Sequence, residues 1–321
     1  MLLIGENKTT TADIAPGSDY WRGLKLDRQI SVYIDAGRQL GLDIGGVFYN
    51  VLRVPQHRPL MMTPVEERKY TKPTAKDPCA RLYKSQRDRD ETPEEYEQRI
   101  LLAIAEDPAK YYQRQTVVRL ASELEESRLD IWQTAANIRD ARRLSVWPRN
   151  PDSCLHWGRA CDYLSACTGE QDIDDDLLFY VGSKRHEELD DEGDDVLTQS
   201  SIRCYSACAR KFYYRYERRI RRRVPDAEPL RRGKSIHRAL EVWWKTGDLD
   251  ASLAKLDQDK PYERARERAM MIGYNVMWSD APRRVRSVEK KWTVPLINPD
   301  TGFPSKTFRL VGRTDAVMEA E

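Results

Sequence analysis

No run of about 18 to 20 apolar residues, the length a membrane-crossing helix needs, occurs in this 321-residue chain. The opening MLLIGENKTT turns polar too early for a secretory signal, so a cytoplasmic location and no membrane partner are expected. An excess of one charge is also missing. With 54 Lys and Arg against 52 Asp and Glu, the net charge is +2, so any nucleic-acid signal must be local. Six cysteines are too sparse for a disulfide scaffold, which makes their positions more informative than their number. There is no internal repeat. The absence of a G-x-x-x-x-G-K-[ST] phosphate loop argues against a helicase, and no helix-turn-helix or other base-reading module stands out. At 40% hydrophobic residues, the chain can still bury one large core or two modest ones.

Periodicity outlines the elements. LLIGENKTT reads as a strand running from a core to a surface, and GGVFYNVLRV as a second strand. Between them a helix is expected from Leu24 to about Leu40, with Leu26, Ile30, Ile34 and Gly37 inward and Gln29 and Tyr33 one turn apart. Residues 55 to 90 are polar and aperiodic. Thr92, Pro93 and Glu95 open a helix to about Glu106, and Ser122 to Arg143 form another with Leu124, Ile131, Ala135 and Ile138 buried. The acidic HEELDDEGDD, ending at Asp195, reads as a solvated linker. After it come a capped, strongly basic helix, a helix from Lys234 to Lys245 preceded by Gly233, and strands VEKKWTVPLINP and KTFRLVGRTDAVME around a turn at Asn298 to Pro304.

Chemistry concentrates at the two ends. Glu6 and Lys8 lie two apart on a strand and so share a face, while Asp315 closes another strand among apolar neighbours. Two carboxylates and a lysine on adjacent strands suit metal-assisted phosphodiester hydrolysis: the carboxylates hold a hard cation, and the lysine orients water and offsets phosphate charge. Taken alone, an E-x-K triplet in a chain this charged is usually a solvated strand face.

Together these motifs resemble the PD-(D/E)XK nuclease superfamily, in its RecB-like branch. That branch runs through a G-x-x-x-H helix (here Gly233 and His237), a G-x-x-D strand (Gly312 and Asp315), an E-x-K strand (Glu6 and Lys8) and a Q-x-x-x-Y helix (Gln29 and Tyr33). The resemblance covers most of residues 1 to 54 and 197 to 321. It implies an α/β, restriction-endonuclease-like central mixed sheet flanked by helices. It further implies Mg²⁺ or Mn²⁺ held by His237, Asp315, Glu6 and the carbonyl of Asn7, with Lys8 positioning water and Gln29 and Tyr33 reaching phosphate or buttressing Lys8. The plain alternatives are a surface His237 paired with Glu241 and a Tyr33 that only fills core. The order here starts at the third element and ends at the second, as a circular permutation would. The Asp and E-x-K strands are expected as hairpin neighbours with Glu321 near Met1. A chain whose half-sites meet only between two copies is the other reading.

Cys154, Cys161, Cys167 and Cys208 resemble the four ligands of a [4Fe–4S] cluster in AddB-type and CRISPR-associated relatives; structural Zn²⁺ and buried free thiols are the alternatives, with Cys79 and Cys204 as bystanders. Arg210, Lys211, Arg215, Arg218, Arg219 and Arg222, interleaved with Phe212, Tyr213, Tyr214 and Tyr216, suggest a DNA-binding stretch whose aromatics stack on bases or face the core. The expected organisation is one half of a nuclease core at 1–54, a mostly helical insertion at 55–147, a Cys-rich segment at 148–180, an acidic linker at 181–196 and the other half-core at 197–321. The expected activity is a DNA exonuclease or end-processing nuclease of recombination, repair or phage metabolism, acting on ends or single strands beside a helicase or recombination partner. A non-catalytic iron–sulfur DNA-binding subunit is the competing class.

Overall fold

A computed structural model describes residues 1–320 except 73–78, 157, 187–188, 190–192, 194, 226, 258 and 282–283. The elements that position the site are β1 (Leu2–Thr10), α1 (Asp19–Leu24), α2 (Arg28–Gln39), β2 (Ile44–Arg53), α3 (Pro93–Glu106), β3 (Tyr112–Val117) and α4 (Ala121–Leu144). They continue with β4 (Val196–Leu197), α5 (Gln199–Ala207), α6 (Glu228–Thr246), α7 (Pro261–Trp278), β5 (Val285–Ile297) and β6 (Pro304–Glu319).

The strands form one mixed sheet in the order β3-β2-β1-β6-β4, with β5 antiparallel to β6. β1 is parallel to β2 and antiparallel to β6, with Gly5 opposite Ala316, so the first and last strands are neighbours as expected. The Ala320 amide donates to the Met1 carbonyl at 3.2 Å. Glu321 lies outside the described residues.

Strand alternation divides the apolar side chains between two cores. Ile4, Val47, Tyr49 and Val51 join α2, α4 and α5 on one side, while Leu52, Ala316 and Met318 join α3, α6 and α7 on the other. Two glycines permit close packing. A Cβ on Gly37 of α2 would come within 2.5 Å of Ile44, and one on Gly312 of β6 within 2.3 Å of the Trp292 ring.

Several expectations need correction. The helix expected from Leu24 to Leu40 starts only at Arg28, because Asp27 caps α2 by accepting from the Gln29 amide, and Leu24 instead ends α1. Leu26, expected inward, falls between them and is 93% exposed. Gly233 lies inside α6, which starts at Glu228. The span 55–147 is more than a helical insertion: β3 pairs with β2 in the central sheet, and α3 and α4 enter opposite cores. Six residues of the acidic linker (Glu187, Glu188, Asp190, Asp191, Glu192 and Asp194) lie outside the described residues. Its last residue, Asp195, pairs with Arg309 at 2.9 Å.

Candidate metal and nuclease site

Alternation along β1 turns Glu6 and Lys8 to the α2 side of the sheet and Asn7 to the α7 side. Glu6 is 3% exposed, and its Oε1 pairs with the Lys8 ammonium. Gln29 of α2 spans the pair, accepting from Lys8 Nζ at 3.3 Å and donating to Glu6 Oε1 at 2.9 Å. The same Gln29 amide donates to the Tyr33 hydroxyl at 2.8 Å, and that hydroxyl donates to the Arg313 carbonyl at 3.0 Å. Helical spacing thus makes Gln29 and Tyr33 one brace between β1 and β6.

Pairing of β6 with β1 brings in Asp315, whose Oδ2 accepts from the Asn7 amide at 2.7 Å. His237 of α6 places Nε2 at 3.6 Å from Asp315 Oδ1 and 2.7 Å from Glu289 Oε1. The alternative partner for His237 is thereby corrected, since Glu241 pairs with Lys245 one turn on. Glu289 is a site residue that the sequence reading missed. It sits within β5 at φ +51°, a left-handed conformation costing about 1 to 3 kcal/mol for a non-glycine residue. Its one sequence signal is a carboxylate among the lysines of VEKK.

Charges in this group shift one another. Burial, and then the Glu6 charge, push the Asp315 carboxyl well above the ordinary carboxylate range, against the pull of His237 and Lys8. Burial alone would lower His237 and Lys8. The hydrogen bond and charge of Glu289, with Asp315, raise His237, and Glu6 with Asp315 raises Lys8. Each of His237, Glu289 and Asp315 offers a ligand atom, all within 4.8 Å of one another, the one such group among the described residues. Glu6 Oε2 is buried with no hydrogen-bond partner among them. Carboxylate oxygens beside one imidazole fit a hard or borderline divalent cation, which would offset the crowded negative charge of Glu289 and Asp315.

The site opens into a cleft of about 880 Å³ walled by α2, α4, α5 and β6. Its cations include Lys25, Arg28, Arg203 and Arg313, and acids on α4 (Glu123, Glu126 and Asp130) face them. None of the six basic residues expected to bind DNA lines this cleft. Arg210 donates to the Trp147 carbonyl at 2.9 Å, Arg218 pairs with Asp174, and Arg219 donates to the Ser183 carbonyl at 3.5 Å. Phe212, Tyr214 and Tyr216 are buried, so the aromatics of this stretch serve the core.

The cysteines are unpaired by disulfides. No three sulfurs among the described residues come within 4.8 Å of one another, whereas thiolates sharing one Zn²⁺ lie at about 2.3 Å from the metal. Burial raises the Cys161, Cys167 and Cys204 thiols, Cys204 to about 11, and the nearby Cys208 adds to each rise. Cys204, set aside on sequence, therefore belongs to this neighbourhood.

Residues 196–321 match the family model of the PD-(D/E)XK nuclease superfamily. This stretch, a PD-(D/E)XK nuclease superfamily domain, holds His237, Glu289 and Asp315 and points to a metal-dependent nuclease. Glu6, Lys8, Gln29 and Tyr33 lie outside the match, yet the sheet brings them to its Asp315. No curated protein and no solved structure matches the chain. No helix among the described residues is long and apolar enough to cross a membrane.

Proposed function

We propose that this chain is a divalent-cation-dependent deoxyribonuclease of the RecB-like branch, with the motif order circularly permuted and both halves of the site supplied by one molecule. The observation that carries the reading is the buried Glu6 oxygen, without a partner among the described residues, on the strand beside Asp315, with Lys8 on the same face. Glu6, Asp315, His237 and the Asn7 carbonyl would hold Mg²⁺ or Mn²⁺, and Glu289, whose Oε1 faces the same His237 Nε2 as Asp315 does, would be a further ligand. When bound, the cation supplies Lewis acidity and a more acidic water. Lys8 orients the attacking water and offsets charge on the phosphate. Gln29 fixes Lys8 and Glu6 together, and Tyr33 fixes Gln29 against β6.

Contacts available in the cleft favour phosphate over base edges, which suits an exonuclease or end-processing enzyme of recombination, repair or phage DNA metabolism working on ends or single strands. A helicase or recombination partner is part of this reading. So is a [4Fe–4S] cluster on Cys154, Cys161, Cys167 and Cys208, supported by their resemblance to the four-cysteine pattern; loss of a visible absorbance band in Cys161→Ser tests it. The activity is tested by Mg²⁺-dependent degradation of linear DNA by the monomer from size exclusion, beside Lys8→Ala and Asp315→Ala. Equal activity in all three proteins overturns the catalytic assignment, and activity confined to dimers overturns the one-molecule site.

A further inference from the structure

Behind the site, on the opposite face of β1, lies a polar chain that the proposed reaction does not use. Asn7, between Glu6 and Lys8, is the ladder partner of Asn50 in β2. Asn50 is 1% exposed, and its Nδ2 donates to Asn7 Oδ1 at 2.7 Å and to the Tyr274 hydroxyl of α7 at 3.0 Å. Arg114 of β3 completes the chain, donating to Asn50 Oδ1 at 3.2 Å and to the Tyr274 hydroxyl at 2.8 Å. The guanidinium carbon lies 3.9 Å from the centroid of Trp278, with Phe48, Trp244 and Tyr274 around it. Arg114 has no carboxylate partner among the described residues, so aromatic faces and neutral oxygens hold this cation in place.

We infer that Asn50 and Arg114 are positioning residues that fix Asn7, and through it the β1 backbone at the E-x-K triplet, in the geometry needed for cation binding; this rests on the nuclease reading above. An apolar pair would fill this part of the core at lower desolvation cost, but it would leave the Asn7 side chain free to turn. The hydrogen-bonded chain allows one arrangement. The constrained backbone is the part that matters: the Asn7 amide holds Asp315, and its carbonyl is a proposed ligand. β2, β3 and α7 thereby act on the site without touching it, as outer partners of metal ligands do.

The test uses the full chain with Mn²⁺ alone, by titration calorimetry, together with amide hydrogen exchange at residues 6–8 in metal-free protein. Asn50→Ala is expected to weaken Mn²⁺ binding by about tenfold or more and to speed exchange at the Asn7 amide. Arg114→Lys, which keeps the charge and loses the fork, should move both readouts in the same direction and serves if Asn50→Ala fails to fold. Ile100→Val, in the same core but off the chain, should move neither. In an Asn7→Ala background, Asn50→Ala should add little to the loss. Wild-type affinity and exchange in both Asn50→Ala and Arg114→Lys overturn the positioning role. A wild-type chain that binds no Mn²⁺ overturns the nuclease reading instead, while exchange still reports on the positioning chain.

Discussion

The two faces of β1 at residues 6 to 8 are built to opposite rules. On the α2 face, Glu6 keeps a buried oxygen without a partner among the described residues, and Asp315 is crowded by another carboxylate. On the α7 face, Asn7, Asn50, Tyr274 and Arg114 answer one another in an unbroken series of hydrogen bonds. The difference teaches where this fold keeps its tension. Unsatisfied buried polar groups cost about 1 to 3 kcal/mol each, so one face is destabilised in the absence of a ligand and the other supplies the rigidity that tolerates it.

The sharpest way to break this contrast is to remove a group from the strained face. Asp315→Ala or Lys8→Ala should lower Mg²⁺-dependent DNA cleavage by about 10²- to 10³-fold or more, the range for losing one charge-stabilising group, while the melting temperature of Asp315→Ala, which relieves its crowding with Glu6, stays near that of the wild type or rises. A large fall in melting temperature with retained cleavage would reverse the assignment of the two faces. Glu289→Gln should come next, weakening Mn²⁺ binding by about tenfold or more, because the group of His237, Glu289 and Asp315 loses one carboxylate. Calorimetry measures this without DNA.

Scaffold and substrate changes should have smaller, separable effects. Gly312→Ala forces a methyl group against the Trp292 ring and should cost about 1 to 3 kcal/mol of stability, read from denaturant unfolding. Arg203→Ala, in the cleft, should weaken DNA binding and reduce its salt slope by about one. Arg222→Ala, outside the cleft, should leave that slope unchanged. If Arg222 carried the salt dependence and Arg203 did not, DNA would follow the basic aromatic stretch and the cleft would lose its role.

Much of this was legible in the sequence because alternation and helical spacing are local rules. Glu6 with Lys8, and Gln29 with Tyr33, announce their shared faces by separations of two and four, and the capped α3 and the stripe of α4 follow the same logic. What stayed hidden depends on long-range pairing. Glu289 reaches His237 only because β5 carries a left-handed residue at that point, which no periodicity records. β3, half polar at the sheet edge, and α7, whose buried face includes Glu267 among its methionines, lack the clean patterns that would have marked them. Leu26 misled in the other direction: its spacing fits α2, but Asp27 starts that helix after it. The basic aromatic stretch shows a different limit, since composition cannot say on which side of the molecule its arginines emerge.

The most direct test of the account is anomalous diffraction from crystals soaked in Mn²⁺, scattering that places the ion without assumptions. A peak within coordination distance of Glu6 Oε2 and an Asp315 oxygen, each at roughly 2.0 to 2.6 Å, is the predicted result. A peak elsewhere, or none while Glu6 and Asp315 keep their present positions, would contradict it.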